Sequence, residues 1–142
     1  MSYAGDITPG EAWKILSENP EAVLVDVRTD AEWKFVGVPD VSSLGRDVIF
    51  IEWNRSNGTR NENFVADLVA AGIQARPEGT GDRPVIFLCR SGNRSIGTAE
   101  AATAAGIGPS YNVLDGFEGN LDEHKHRGGT GWRALGLPWT QS

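Results

Sequence analysis

The sequence has only one cysteine, Cys89, among its 142 residues. It can therefore form no internal disulfide and no metal site built from several cysteines. A lone cysteine is either a buried, unreactive side chain or a reactive thiol, depending on its surroundings. The residues next to Cys89 must decide between these two readings.

Long hydrophobic runs and basic clusters are also missing. No stretch approaches the roughly 18 apolar residues of a membrane span, and the N-terminus lacks the basic and apolar regions of a signal peptide. The net charge is −6 and the basic residues are scattered, whereas nucleic-acid phosphates are bound by clustered Lys and Arg. We therefore expect a soluble, cytoplasmic protein with no membrane or nucleic-acid partner.

Histidine is scarce, with only His124 and His126 in the chain. They alternate within a charged segment, which is typical of a solvated loop rather than of a metal site. A Gly-rich nucleotide-binding loop is absent as well. The sequence therefore predicts no metal and no cofactor.

Helix and strand patterns alternate along the chain. The segments 23–27 and 85–89 are short, nearly continuous apolar runs, as in buried parallel strands. Weaker strands are predicted at 48–51 and 111–114. Helices are predicted from a capping box at Thr8 and Glu11 with Pro9, over 95–105, and over 63–71 with Phe64, Val65, Leu68 and Val69 on one face. Two short helices are also predicted, one capped by Asp30 and one that starts at Gly116. A surface loop is predicted at 76–83, and Trp13 and Trp33 are expected to pack into the core. This order predicts an α/β domain with a mostly parallel sheet.

The segment after the second apolar run carries the strongest chemical signal. Cys89 ends this strand, and parallel sheets bind ligands beyond the carboxyl ends of their strands. Residues 90–95 read Arg-Ser-Gly-Asn-Arg-Ser and lead into a helix. Small polar residues and Gly92 allow backbone N–H groups to point inward as an anion nest, and the helix N-terminus adds positive potential. With Arg90 and Arg94 nearby, this setting favours a reactive thiolate; a buried structural cysteine is the alternative.

The segment Cys89–Ser95 resembles the active-site loop of the rhodanese family. Further landmarks resemble the family in the expected order: Leu24–Arg28 followed by Glu32 and Trp33, Val113–Phe117, and Trp132 with Gly136–Trp139. Residues 37–41 depart from the pattern, because they lack the histidine of the family's Gly-His-Ile-Pro-Gly-Ala segment. An extended connection over 47–63 is a second departure.

The resemblance implies a three-layer domain with about five central strands, which we expect as one domain over residues 1–142 with its core at 7–139. It also implies a sulfurtransferase. Cys89 would take sulfur from thiosulfate or a similar anionic donor, hold it as a persulfide, and pass it to cyanide or a thiol, including the thiol of a partner protein. Whether the protein is a monomer or a homodimer stays open.

The resemblance assigns substrate binding to the loop that follows Cys89. The residues concerned are Arg90, Ser91, Gly92, Asn93, Arg94 and Ser95. Their backbone N–H groups would cradle the anionic sulfur, and the hydroxyls of Ser91 and Ser95 are candidate donors to it. Arg90 is expected to steer the anionic donor, while Arg94 either does the same or fixes the loop.

Asp26 and Arg28 end the first apolar run, at the same sheet edge as Cys89. We expect them to support the site as an ion pair or loop anchor; direct contact with the substrate is the alternative.

Two other functions remain open. A rhodanese-like regulatory or binding module would lack turnover, although degenerate members typically lose the cysteine or the loop's basic residues, and this chain keeps both. The alternative is a cysteine phosphatase or an arsenate reductase. The phosphatase family pattern has five residues between Cys and Arg, whereas four residues separate Cys89 from Arg94. A phosphatase also needs a general acid, for which Asp115 and Glu118 are the candidates.

Overall fold

The computed structural model describes residues 3–76 and 83–141. The strands are β1 (Gly5–Ile7), β2 (Val23–Asp26), β3 (Val38–Pro39), β4 (Ile49–Phe50), β5 (Val85–Leu88), β6 (Ser110–Val113) and β7 (Trp139–Thr140). The α-helices are α1 (Pro9–Glu18), α2 (Asp30–Phe35), α3 (Phe64–Ala70) and α4 (Arg94–Ala104), with a 3-10 turn at Ser42–Leu44. The predicted loop at 76–83 lies, except for its two end residues, outside the described residues.

Five strands form one sheet in the order β1-β6-β5-β2-β4, and every pairing in it is parallel. β3 and β7 form a separate antiparallel pair. This arrangement confirms the predicted α/β fold with its parallel central sheet. Within the described ranges, no helix combines the length and apolar character that crossing a membrane requires.

Both faces of the central sheet are covered, which explains the continuous apolar runs. In β5, Val85 and Phe87 pack into a cluster with α3 and α4, while Ile86 and Leu88 pack on the other face with α1. Side chains alternate between the faces of a strand, so a strand buried on both sides needs apolar residues throughout.

The capping boxes of the first two helices set where they begin. In α1, the Glu11 N–H donates to Thr8 Oγ1 at 3.1 Å and the Thr8 N–H donates to Glu11 Oε1 at 2.9 Å, as predicted. In α2 the cap is Thr29, so the prediction of Asp30 as the cap is wrong by one residue. Thr29 wins because Glu32 stands three residues after it and completes a second box.

Two predictions about helix packing need correction. α2 contributes no buried residue, and Trp33 instead makes an edge contact with Phe50 of edge strand β4 at a centroid distance of 5.1 Å. In α3, Phe64 and Leu68 are buried but Val69 is 44% exposed. Both helices are short, six and seven residues, so each buries less of its apolar face than a longer helix would.

The short helix predicted from Gly116 is wrong, because the chain turns there. Asp115, Gly116 and Gly119 have φ values of +65°, +55° and +84°, and such left-handed residues cannot propagate a right-handed helix. Gly116 also has no room for a side chain, since a Cβ would lie 2.4 Å from the Cys89 carbonyl oxygen.

The strand pairs at the periphery escaped prediction. β1, β3 and β7 have two or three residues each, too few for an alternating pattern to show. The segment between β6 and β7 carries Trp132, which is fully buried. Its ring meets Trp13 edge to face at 5.9 Å, and its Nε1 donates to the Pro138 carbonyl at 2.8 Å.

Replacing Trp132 with alanine should therefore lower the free energy of unfolding by about 3–5 kcal/mol, the usual cost of emptying a large aromatic site. Urea denaturation measures this change. Leu135→Ala is the matched control, because Leu135 lies in the same segment but is 60% exposed; its effect should stay within about 0.5 kcal/mol. Equal effects of the two variants would contradict the role of Trp132.

Candidate active site

Cys89 is the residue that directly follows β5, which ends at Leu88. The predicted strand ended one residue later, at Cys89 itself. The strand ends one residue early because the Leu88 carbonyl accepts the last ladder bond on the β2 side, from Val27 N–H at 2.9 Å. The thiol is free and buried, with 1% of the residue exposed. Burial alone fits a structural and a reactive cysteine equally well, so the groups around the sulfur decide.

Hydrogen-bond donors converge on the Cys89 sulfur from the following loop. The backbone N–H groups of Gly92 and Ser95 lie 3.2 and 3.4 Å from Sγ, and the Ser95 hydroxyl lies 3.1 Å from it. Such an arrangement of backbone donors is an anion-binding nest. It stabilises negative charge on sulfur, which a purely structural thiol does not need.

Gly92 is required by the shape of this nest. Its φ of +94° lies in the left-handed region, where residues with a Cβ are strained. A Cβ would also meet the Val113 carbonyl oxygen at 3.0 Å and the Asp115 nitrogen at 3.1 Å. The loop therefore curls tightly against the end of β6, and Gly92 allows the approach.

Arg94 forms a two-bond ion pair with Glu32 of α2. Nη1 and Nη2 donate to the two carboxylate oxygens at 2.8 and 2.9 Å, and both side chains are mostly buried. Oε1 of Glu32 also accepts from the N–H and hydroxyl of Thr29. The capping carboxylate of α2 thus holds the loop that follows Cys89.

The pair shifts the titration of both members. Burial raises the pKa of Glu32, but the hydrogen bond and charge of Arg94, with the Thr29 N–H, outweigh it and hold that pKa below its ordinary value. Burial lowers the pKa of Arg94, while the bond and charge of Glu32 and the nearby Cys89 raise it overall. Both groups are therefore charged at neutral pH.

Asp26 and Arg28 form a second, fully buried ion pair at the same sheet edge. Arg28 Nε lies 3.0 Å from Asp26 Oδ1, and Nη2 lies 2.7 Å from Oδ2 and 2.8 Å from the Gly37 carbonyl. The guanidinium stacks over Phe117 at 4.4 Å. The Phe117 N–H donates to the Cys89 carbonyl at 2.8 Å. The Asp26–Arg28 pair therefore supports the backbone of Cys89 through Phe117.

Three other loop residues predicted for the site, Arg90, Ser91 and Asn93, are not among the described residues that bond to Sγ. Arg90 is exposed and forms no ion pair with any residue in 3–76 or 83–141. Asn93 is exposed, and its Nδ2 reaches Ser91 Oγ at 3.4 Å. Within residues 3–76 and 83–141 the Ser95 hydroxyl is the one side-chain hydroxyl that bonds to Sγ, and the role of the Ser91 hydroxyl as a donor to sulfur stays a prediction.

Two site residues were missed by sequence reasoning. Asn112 of β6 accepts a hydrogen bond from the Ser95 hydroxyl and donates to the Gly92 carbonyl at 3.1 Å. A polar residue in an otherwise buried strand was its only signal in the sequence. Gly116 lies against the Cys89 carbonyl, where a Cβ would not fit. The feature that marks Gly116 is the left-handed turn that it forms with Asp115, and this turn is visible only in the structure.

The extended connection over 47–63 reaches the neighbourhood of the site. It carries Trp53 onto α4, where a Cβ on Gly97 would lie 3.0 Å from the indole. Arg60 stacks on the same ring at 4.0 Å. An open groove of about 480 Å³ results beside the loop, lined by Trp53, Asn54, Arg60, Asn93, Arg94, Ile96, Gly97 and Glu100.

Glu32→Gln should lower the free energy of unfolding at pH 7 by about 1–2 kcal/mol, because two charge-assisted hydrogen bonds are weakened. A carboxyl whose pKa is lowered by folding stabilises the protein above its ordinary pKa, and this contribution is lost as pH falls through the lowered value. The difference between wild type and variant should therefore shrink in acid. Urea denaturation at several pH values measures it.

Asp30→Asn is the matched control for Glu32. Asp30 lies in the same helix and forms an exposed pair with Lys34 at 3.0 Å, a contact expected to contribute only a few tenths of a kcal/mol. If both variants lose the same stability, or the Glu32 difference persists in acid, the ion pair with Arg94 does not act as described.

The chain is similar to known proteins in sequence and in fold. A family model for the rhodanese-like domain matches residues 8–123. Rv0390 from M. tuberculosis, a crystal structure, is 66% identical and superposes with a TM-score of 0.88 over 99% of both chains. The uncharacterized protein RC0915 of Rickettsia conorii is 37% identical over 134 residues, which are 94% of this chain and 95% of the relative.

A more distant structure shares the fold at 23% identity. It is the polysulfide-sulfur transferase homodimer from Wolinella succinogenes, with a TM-score of 0.59 over 99% of this chain and 80% of that one. The match of the family model over most of the chain, together with the sulfur nest after β5, places this protein among known relatives: the chain belongs to the rhodanese-like family.

Proposed function

We propose that the protein is a sulfurtransferase with Cys89 as its nucleophile. It takes a sulfane sulfur from thiosulfate or a similar anionic donor, carries it as a Cys89 persulfide, and delivers it to cyanide or a thiol. The observation that carries the proposal is the set of donors converging on Sγ, from the Gly92 and Ser95 backbones. Membership of the rhodanese-like family supports it.

In the first half-reaction the Cys89 thiolate attacks the outer sulfur of thiosulfate. A sulfur–sulfur bond forms to Cys89, and the bond between the two donor sulfurs breaks, with its electron pair leaving on sulfite. The outer sulfur of the persulfide then carries the negative charge. Backbone N–H groups of the loop are suited to stabilise an anion here, in the way that an oxyanion hole does. No general acid is required, because sulfite leaves as a stable anion.

In the second half-reaction the acceptor attacks the outer sulfur of the persulfide. Cyanide becomes thiocyanate, or a thiolate becomes a persulfide, and the Cys89 thiolate is regenerated. The chain has no second cysteine, so the sulfur must leave Cys89 for another molecule. A thiol of a small molecule or of a partner protein fits this requirement.

The two arginines of the loop, Arg90 and Arg94, have different roles. Arg94 is engaged by both oxygens of Glu32, which favours the role of a loop anchor. Arg90 is exposed and keeps its charge available for an approaching anion. We therefore assign donor steering to Arg90 and loop anchoring to Arg94, with the Asp26–Arg28 pair as internal support.

The same geometry argues against phosphate chemistry. Arg94, the only arginine that closes the loop, is already paired with Glu32. One of the two candidate general acids, Asp115, has Oδ1 occupied by Asn120 Nδ2 at 2.7 Å. A cysteine phosphatase needs both a free arginine for the phosphate and an acid for the leaving group.

Incubation with thiosulfate should raise the mass of the intact protein by one sulfur atom, since a stable persulfide forms on Cys89. Mass spectrometry under non-reducing conditions measures this, with polysulfide as a second donor because the Wolinella succinogenes protein is a polysulfide-sulfur transferase. Cys89→Ser should gain no mass and should form no thiocyanate from thiosulfate and cyanide.

The outcomes separate the proposed function from its rivals. A wild-type protein that gains no sulfur from any donor would indicate a binding module without turnover. Thiocyanate formation that survives in Cys89→Ser would place the reaction elsewhere in the chain. Hydrolysis of an aryl phosphate by wild type but not by Cys89→Ser would support the phosphatase instead.

Arg90→Ala should reduce kcat/KM for thiosulfate by about 10-fold at low ionic strength, because a positive charge near the sulfur raises the rate of encounter with an anion. Added salt should narrow the difference. Arg76→Ala is the charge-matched control, since Arg76 pairs with Glu21 ahead of β2, at the opposite sheet edge from Cys89. A salt-independent loss, or an equal loss in the control, would rule out steering by Arg90.

A further inference from the structure

The Ser95 hydroxyl has two neighbours but only one proton. Its oxygen lies 3.1 Å from Cys89 Sγ and also within hydrogen-bond distance of Asn112 Oδ1. A serine hydroxyl donates one hydrogen bond and can accept others. It cannot fully serve the sulfur and the amide oxygen at the same time.

The orientation of the Asn112 amide is set by its other contacts. The second amide atom lies 3.0 Å from Asp6 Oδ1 and 3.1 Å from the Gly92 carbonyl. A carboxylate oxygen and a carbonyl oxygen accept hydrogen bonds, so the atom facing them is the Nδ2 donor. Oδ1 therefore faces Ser95, and because it only accepts, the proton between them belongs to Ser95.

We propose that Asn112 is a positioning residue that controls where the Ser95 hydroxyl proton points and thereby opposes formation of the Cys89 thiolate. In the thiol form, the Cys89 S–H donates to Ser95 Oγ, which donates to Asn112 Oδ1, and every group is satisfied. When the thiol proton is lost to solvent, the hydroxyl turns to the sulfur anion, and fully buried Asn112 loses the donor to its oxygen.

This arrangement makes the backbone N–H groups the permanent donors to sulfur and the hydroxyl a conditional one. An unsatisfied buried acceptor is costly, so each deprotonation of Cys89 competes with the Ser95–Asn112 bond. The inference rests on the proposed function only in taking Cys89 as the reacting group.

Charged groups also lie on the elements packed around Cys89. They are Arg90 and Arg94 of the loop, Glu32 of α2, which binds Arg94, Asp26 at the end of β2 with its partner Arg28, Asp6 of β1, which binds Asn112, and Asp115 and Glu118 of the turn after β6. A test must leave all of these charges unchanged. Substitutions of Asn112 and Ser95 by apolar residues meet this condition.

The test is the pH dependence of Cys89 alkylation by iodoacetamide, since only the thiolate reacts. Asn112→Leu, which keeps a similar shape but has no acceptor, should lower the pH midpoint of alkylation by about one unit, the scale of one hydrogen bond to a charged group. The hydroxyl of Ser95 is then free to stabilise the anion. If Asn112→Leu does not fold, Asn112→Val replaces it, because β-branched residues suit strand β6.

The sign of the shift separates positioning from a general structural role. A loop merely loosened by the substitution would lose the Gly92 and Ser95 N–H donors, and its midpoint would rise. In a Ser95→Ala background the downward shift should disappear, because no hydroxyl remains to redirect. Tyr3→Phe is the control: it removes only the bond from the Tyr3 hydroxyl to Asp6 at 2.8 Å and should leave the midpoint unchanged.

An unchanged or raised midpoint in Asn112→Leu would overturn the proposal, as would a downward shift of equal size in the Ser95→Ala background. Alkylation needs no sulfur donor, so this result stands apart from the sulfur-transfer assays. Failure of persulfide formation with a lowered midpoint would reject the sulfurtransferase and keep the switch. Persulfide formation with an unshifted midpoint would do the reverse.

Discussion

The parallel pairing of β5 with β6 is the constraint on which the site depends. Its register places Phe87 beside Asn112, so that the end of β6 lies against the loop that follows Cys89. Gly92 and Gly116 then approach their neighbouring backbones more closely than a Cβ would permit. A shift of one residue in this register would turn Asn112 to the other face of the sheet and separate it from Ser95.

A second constraint comes from α2, which is short and contributes nothing to the core. Its value to the fold lies in Glu32, which completes the Thr29 capping box and also binds Arg94. One carboxylate therefore fixes the start of a helix and the start of α4, 62 residues further along the chain. This explains how a peripheral helix of six residues supports the loop that follows Cys89.

The sequence predicted those parts of the fold whose signals are local. The apolar runs of β2 and β5, the capping box at Thr8, and the loop after Cys89 are all legible from neighbouring residues. The contacts of Asn112 with Ser95 and of Glu32 with Arg94 were not, because they are set by strand register and by helix placement. The turn after β6 was predicted as a helix because its composition allows one. Its left-handed residues accompany the close packing of Gly116 against the Cys89 carbonyl, which is a tertiary contact.

Formal charge contributes less to the sulfur's surroundings than the buried arginines near it suggest. Arg28 is neutralised by Asp26 and Arg94 by Glu32, so the groups nearest to Sγ are the dipoles of Gly92, Ser95 and the first turn of α4. Buried dipoles are screened by salt far less than exposed charges are. Stabilisation of the sulfur anion should therefore be insensitive to ionic strength, whereas the approach of a charged donor past exposed Arg90 should not. The two functions of the loop, holding the anion and attracting it, thus fall to different groups.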